Sequence, residues 1–120
     1  ACDLVVTWPE PPVFRRPLTR KEYFEPAAFH TAQWCDEELV STGVRIRMID
    51  DLLARHELEG MTRAEVVALL GDGGPEDSYG PDFIRYYLGD ERGLFGIDSE
   101  WLGLSFGADG RVTSADVHTD

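Results

Sequence analysis

Apolar positions along residues 44–56 recur at the spacing of one helix face. They are Ile46, Ile49, Leu52 and Leu53, with His56 continuing the same spacing. Gly43 precedes this stretch and separates it from the acidic segment before it. Because residues three and four positions apart lie on one side of an α-helix, the pattern predicts an amphipathic helix whose apolar stripe packs against a core.

A second and shorter helix is predicted for residues 62–70, within the segment GMTRAEVVALLGDGG. Thr62 and Glu65 have the spacing of a capping box, in which the hydroxyl and the carboxylate each accept a hydrogen bond from a free N–H at the helix start. The apolar stripe consists of Val66, Leu69 and Leu70. Gly71 can adopt the positive φ that ends a helix, so this helix is short and sharply bounded.

Three stretches of the C-terminal half have the composition and alternation of β-strands, namely residues 83–88, 100–106 and 111–118. The dipeptide Asp109-Gly110 joins the last two and supplies the positive φ of a hairpin turn. Helices followed by such strands indicate the α+β class. We therefore predict two helices packed on a three-stranded antiparallel meander.

Residues 1–18 differ in composition from the rest of the chain, because they contain four of its seven prolines. Proline removes a backbone donor and favours extended conformations, so we predict a Pro-rich N-terminal tether or arm here. Residues 19–120 have the length of a single α+β domain. Capping-box spacing at Thr19 and Glu22 indicates a short helix at its start, which Pro26 ends.

The chain of 120 residues is strongly acidic, with a formal net charge of −12 and an isoelectric point near 4.5. A surface of this charge repels phosphate backbones, so we expect no nucleic acid partner. The charge suits either solubility alone or binding to a basic protein. No apolar stretch reaches the roughly 18 residues that a membrane-spanning helix needs.

The two cysteines, Cys2 and Cys35, leave three possibilities open. Cys2 follows a small residue and precedes the Pro-rich tether, as in a processed bacterial lipoprotein whose thiol is acylated. We expect this form, in which Cys2 is a lipid anchor and the chain's only contact with a membrane. The alternatives are a Cys2–Cys35 disulfide in an oxidising compartment, or two unmodified thiols.

Patterns typical of catalytic or metal sites do not stand out in the sequence. The three histidines are scattered, and neither His-x-x-x-His nor Cys-x-x-Cys occurs. The run Gly-Leu-Ser-Phe-Gly lacks the strand-to-helix context of a nucleophile elbow. We therefore expect no enzymatic activity, no metal and no cofactor. An enzyme that uses loop carboxylates stays open as a hypothesis, with Asp90, Glu91 or Asp98 as candidates.

The predicted sheet offers a candidate protein-interaction face. In its strand, Trp101 points away from the leucines that would face the helices. Together with Arg85 and either Tyr86 or Tyr87, it would form a patch of the residue types that dominate interface energetics. The alternative is that the Pro-rich tether folds over this face and buries Trp101.

The segment GMTRAEVVALLG, residues 60–71, resembles the G-M-[TS]-x-x-[EQ]-V-x-x-[LA]-L-G segment of the SmpA/OmlA lipoproteins. Those are small bacterial lipoproteins tied to outer-membrane β-barrel assembly, with a fold similar to the repeat unit of the β-lactamase inhibitor protein. The resemblance covers about residues 44–118. The segments RIRMIDDLL (45–53), YYLG (86–89) and DSEWL (98–102) also resemble small bacterial proteins of that kind, many of them lipoprotein candidates.

The resemblance implies a non-enzymatic lipoprotein of the bacterial cell envelope, anchored in the periplasm through Cys2 and acting through contacts with an unidentified protein partner. The acidic charge favours a second hypothesis, in which the chain is an inhibitor or immunity protein that binds a basic partner. In that case the chain is secreted or cytoplasmic. We expect a monomer in either case.

Overall fold

The structure is a computed structural model, and it describes residues 19–40, 42–72, 82–90 and 98–119. The predicted tether lies outside the described residues. Within them, helices α1 (Arg20–Phe24), α2 (Thr31–Trp34), α3 (Glu37–Val40), α4 (Val44–Arg55) and α5 (Arg63–Leu70) precede strands β1 (Phe83–Asp90), β2 (Ser99–Phe106) and β3 (Val112–Thr119). None of these helices is long and apolar enough to cross a bilayer.

The three strands form one antiparallel sheet in the order β1-β2-β3. This confirms the predicted α+β class and the predicted three-stranded antiparallel sheet. Tyr87 of β1 pairs with Trp101 of β2, and Trp101 pairs with His118 of β3. In the turn before β3, Gly110 has a φ of 79°, as the Asp-Gly dipeptide predicts.

The prediction of two helices is wrong in number, because the described part of the chain contains five. The two predicted from the sequence are α4 and α5, and α1 begins at the capping box of Thr19 and Glu22. The additional helices, α2 and α3, have four residues each. The N-cap residue of α2, His30, does not cap the helix with its side chain, so the sequence carries no local start signal there.

Buried side chains of α4, α5 and one sheet face belong to a common core. They include Ile46, Met48, Ile49, Leu52, Val66, Leu69, Leu70, Ile84, Tyr86, Leu88, Leu102, Leu104 and Phe106. Leu53 is 40% exposed, so its predicted place in the buried stripe of α4 is wrong. Successive helix residues are rotated by about 100°, and Leu52 takes the inward position.

Helix α5 begins and ends as its sequence predicts. The Thr62 hydroxyl accepts from the N–H of Glu65 at 3.2 Å, and the Glu65 carboxylate accepts from the N–H of Thr62 at 3.0 Å. The second hydrogen bond lowers the pKa of Glu65. Gly71 ends the helix with a φ of 78°. The segment before α5 joins the helix to the sheet, because the N–H of Gly60 donates to the carbonyl of Val112.

The two edges of the sheet have different surroundings. At the β1 edge, Nη1 of Arg45 donates to the carbonyl of Tyr87 at 3.0 Å, and Gly89 lies against the start of α4. At the β3 edge, the segment before α5 covers the beginning of the strand, where the N–H of Val112 donates to the carbonyl of Met61 at 2.9 Å. Helix α4 therefore covers the β1 edge near Tyr87 and Gly89, and the segment before α5 covers the β3 edge where that strand begins.

Candidate functional site

The sheet face opposite the core carries five half-buried side chains that are aromatic or basic, which we call the aromatic sheet face. They are Phe83, Arg85, Tyr87, Trp101 and His118. Alternation along each strand directs them away from the core residues between them. The structure thus brings together three of the predicted candidates, Arg85, Tyr87 and Trp101.

Both Arg85 and Tyr87 of β1 contact Trp101 of β2. The guanidinium carbon of Arg85 lies 3.9 Å from the centroid of the Trp101 ring. The Tyr87 and Trp101 ring centroids are 5.3 Å apart, with an angle of 71° between the ring planes. The first contact is a cation–π interaction and the second an edge-to-face aromatic pair. The face therefore presents an ordered cluster with one positive charge.

Phe83 and His118 approach each other across Gly103, and neither is among the residues predicted for this face. A Cβ at Gly103 would lie 2.9 Å from Cζ of Phe83 and 3.1 Å from Cε1 of His118. Glycine at this position therefore permits side chains from β1 and β3 to meet over β2. An isolated glycine within a strand pattern is the sequence signal for such a close approach.

Tyr86 does not belong to the aromatic sheet face, which corrects one of the predicted candidates. Its side chain is 1% exposed in the core, because it alternates with Arg85 and Tyr87 along β1. Its hydroxyl donates to the carbonyl of Gly71 at 2.7 Å, and burial raises the pKa of this hydroxyl above its ordinary value. Tyr86 therefore connects the sheet to the end of α5.

The cysteine that follows α2, Cys35, is half-buried against the core and is disulfide-bonded. This excludes an unmodified thiol at Cys35 in this structure. Cys2, the other cysteine and the predicted lipid anchor, lies outside the described residues. Disulfides persist mainly in oxidising compartments, so the state of Cys35 bears on where the protein folds.

The other chemical candidates do not come together in the described residues. These contain no group of three or more His, Cys, Asp or Glu side chains placed to hold a metal ion. The ring of His56 packs edge-on against Phe29 at 5.6 Å, and burial lowers the pKa of His56. Asp98 is exposed, while Glu91 and the side chain of Asp90 lie outside what the structure describes.

A cleft of about 400 Å³ lies near the hairpin between β2 and β3. Its described lining consists of Arg63, Asp82, Phe106 and Gly110. The guanidinium carbon of Arg63 lies 4.6 Å from the Phe106 ring centroid. This described lining includes none of the predicted site residues.

No family model matches the chain, and neither a curated protein nor a solved structure matches it. The resemblance to the SmpA/OmlA lipoproteins therefore stays a prediction. Among the described residues, the aromatic sheet face is a cluster outside the core in which aromatic and cationic side chains contact one another.

Replacing Trp101 by alanine is expected to lower the free energy of unfolding by about 1–2 kcal/mol, the sum of one cation–π contact and one aromatic pair. Its indole N–H makes no hydrogen bond to a described residue, so the substitution removes no hydrogen bond. Urea denaturation measures the loss. Leu102→Ala, at a fully buried position of the same strand, is the control and should cost about 2–5 kcal/mol. An equal loss for both variants would indicate that Trp101 is buried beneath another part of the chain.

Proposed function

We propose that this chain is a non-enzymatic protein-binding domain of the bacterial cell envelope and that its aromatic sheet face contacts the partner protein. The observation that carries this proposal is the cluster in which Arg85 and Tyr87 both contact Trp101, on the face turned away from the core. Trp, Tyr and Arg are the residue types most enriched at interface hot spots. Side chains already fixed by their neighbours lose little conformational freedom on binding.

The disulfide at Cys35 supports an extracytoplasmic location, because cytosolic thiols are kept reduced. Within one chain, Cys35 can pair only with Cys2. Acylation of Cys2 uses the same sulfur, so a lipid anchor and an intrachain disulfide are mutually exclusive forms of one molecule. The proposal includes the SmpA/OmlA-like packing of α4 and α5 on the sheet and the Pro-rich tether at residues 1–18.

The intact mass of the protein from its own host distinguishes these two forms. An intrachain disulfide lowers the mass by two hydrogens, and reduction restores them. A diacylglyceryl group and a further acyl chain at Cys2 raise it by the mass of those lipids and direct the search for the partner to the membrane. A free thiol at both cysteines in a soluble cytoplasmic fraction would contradict the envelope location.

A second candidate function, binding to a basic partner as an inhibitor or immunity protein, is favoured by the placement of the arginines. Arg47 is buried and donates to the carbonyl of Glu25, and Arg45 donates to two backbone carbonyls. Arg55 pairs with Asp51 at 2.8 Å. These arginines are engaged in contacts within the chain. Because the net charge of the chain is −12, the remaining surface is strongly acidic.

Site-specific photocrosslinking in the native host tests the proposed interaction face. A photoreactive phenylalanine analogue at Tyr87 is expected to crosslink one envelope protein, and Arg85→Ala should reduce the yield. The matched control is the same analogue at Leu53, which is 40% exposed on α4 and lies outside the face. Equal crosslinking from both positions, or a yield that Arg85→Ala leaves unchanged, would contradict a specific interface at the aromatic sheet face.

A further inference from the structure

The outer edge of β3 carries backbone groups that point away from the sheet. The N–H of Phe106 donates to the carbonyl of Asp82, so Phe106 and alternate residues of β2 face β1. The residues between them face β3 and pair with Ser114, Asp116 and His118. The backbone groups of Ala115, Val117 and Thr119 must therefore point away from the sheet.

These outward groups have no hydrogen-bond partner among the described residues. Strand β3 is at the edge of the sheet and contains neither lysine nor proline, the residues that commonly protect such an edge. Val117 is 36% exposed and lies opposite Leu102, on the core side of the sheet. Within the described part of the chain, this edge therefore combines backbone groups that lack a partner with an exposed apolar side chain.

We propose that a second copy of this chain pairs with β3 in an antiparallel arrangement, with the two-fold axis at Val117. Val117 then lies opposite Val117 of the second copy, and Asp116 lies opposite His118 of the second copy. Both copies use the same residues, as a two-fold interface requires. The result is one continuous sheet that extends through both copies.

Charge and space favour this register over those that move the axis towards the start of β3. In the paired edge, a residue whose backbone groups point outward must lie opposite a residue of the second copy whose backbone groups also point outward. The two-fold axis can therefore move only from one residue of β3 to the next. An axis at Asp116 would place two carboxylates opposite each other, which is destabilising. An axis at Ala115 would bring the second strand to Val112, where Met61 already accepts the backbone N–H. An axis at Val117 avoids both problems and places Asp116 opposite a histidine.

The pairing goes beyond the proposed function, because it concerns the edge of the sheet and a second copy of the chain. It also differs from the monomer that the sequence alone predicts. The continuous sheet would present two aromatic sheet faces on the same side. Two linked binding sites can engage a repeated or two-fold symmetric partner with greater avidity than one.

Sedimentation equilibrium of the full chain with its disulfide intact tests the pairing. The weight-average mass should rise with concentration from 13.5 kDa towards twice that value. Salt should favour the rise, because it screens repulsion between two copies that each carry a net charge of −12. A mass that stays at 13.5 kDa over the whole accessible concentration range at high salt would overturn the proposal.

Val117→Lys should abolish this association, because it places two ammonium groups opposite each other at the two-fold axis. The matched control is Thr113→Lys, at an exposed position of the same strand that lies outside the paired segment. It should associate like the wild type. Both positions are exposed, and circular dichroism verifies that both variants are folded. Association of Val117→Lys with wild-type affinity would overturn the proposed interface.

The register has its own test, which uses two oppositely charged variants. H118D places carboxylates opposite each other at both Asp116–His118 contacts, and D116K/H118K places ammonium groups there. Each variant alone should dimerise about tenfold more weakly than the wild type. An equimolar mixture should recover the dimer, because every contact then joins an acid and a base. A mixture that associates no better than the separate variants would overturn the register.

Discussion

Replacing Trp34 by alanine is expected to lower the free energy of unfolding by about 3–5 kcal/mol, the range for truncating a large buried aromatic side chain. Trp34 is 0% exposed. The ring centroids of Phe29 and Tyr86 lie 5.7 Å and 6.2 Å from its own, and the guanidinium carbon of Arg45 lies 4.9 Å from its ring. Its neighbours come from β1, from α4 and from the segment before α2. Truncation therefore opens a cavity where helices and sheet meet.

Urea denaturation of the disulfide-bonded protein measures this loss, with Trp101→Ala as the matched control. The two substitutions remove the same side chain, one from the core and one from the aromatic sheet face. Trp34→Phe should cost less than Trp34→Ala, because it keeps part of the ring volume. The indole N–H of Trp34 is buried and has no hydrogen-bond partner among the described residues, so its removal leaves no acceptor unpaired. Equal losses for the two alanine variants would contradict the central position of Trp34.

The buried position of Trp34 depends on contacts between distant parts of the chain, which the sequence does not reveal. Helices α4 and α5 and the three strands are predictable because their signals are local: apolar spacing, the capping box of Thr62 and Glu65, and the Asp-Gly turn. Helix α2 has four residues and no side-chain cap. Helix α2 is held in place by the contacts that Trp34 makes with residues distant in the sequence. No short stretch of the sequence reveals those contacts.

The composition of the aromatic sheet face was predictable only in part for a similar reason. Alternation indicates that Tyr86 and Tyr87 point to opposite faces, but only the register between β1 and β2 decides which one joins Trp101. His118 of β3 enters the face because it pairs with Trp101 of β2. Phe83 enters because Gly103 leaves room over β2. Pairing between strands is a long-range property, so the sequence supplies the residue types but not their neighbours.

Replacing Arg45 by methionine is expected to cost about 2–4 kcal/mol, because it removes two charge-assisted hydrogen bonds and one cation–π contact. Nε donates to the carbonyl of Trp34 at 2.9 Å and Nη1 to the carbonyl of Tyr87 at 3.0 Å. The first acceptor is in α2 and the second is at the outer edge of β1. Burial lowers the pKa of Arg45 to about 10, so the group is still charged at neutral pH. The charged guanidinium of Arg45 therefore connects α2 to β1 of the sheet.

Urea denaturation of Arg45→Lys separates geometry from charge, since lysine keeps the charge and loses the planar fork that reaches both carbonyls. We expect it to cost nearly as much as Arg45→Met. Arg55→Met is the control, because Arg55 forms an exposed pair with Asp51 that should contribute at most about 1 kcal/mol. If Arg45→Met cost no more than Arg55→Met, the connection between α2 and β1 would not depend on the guanidinium.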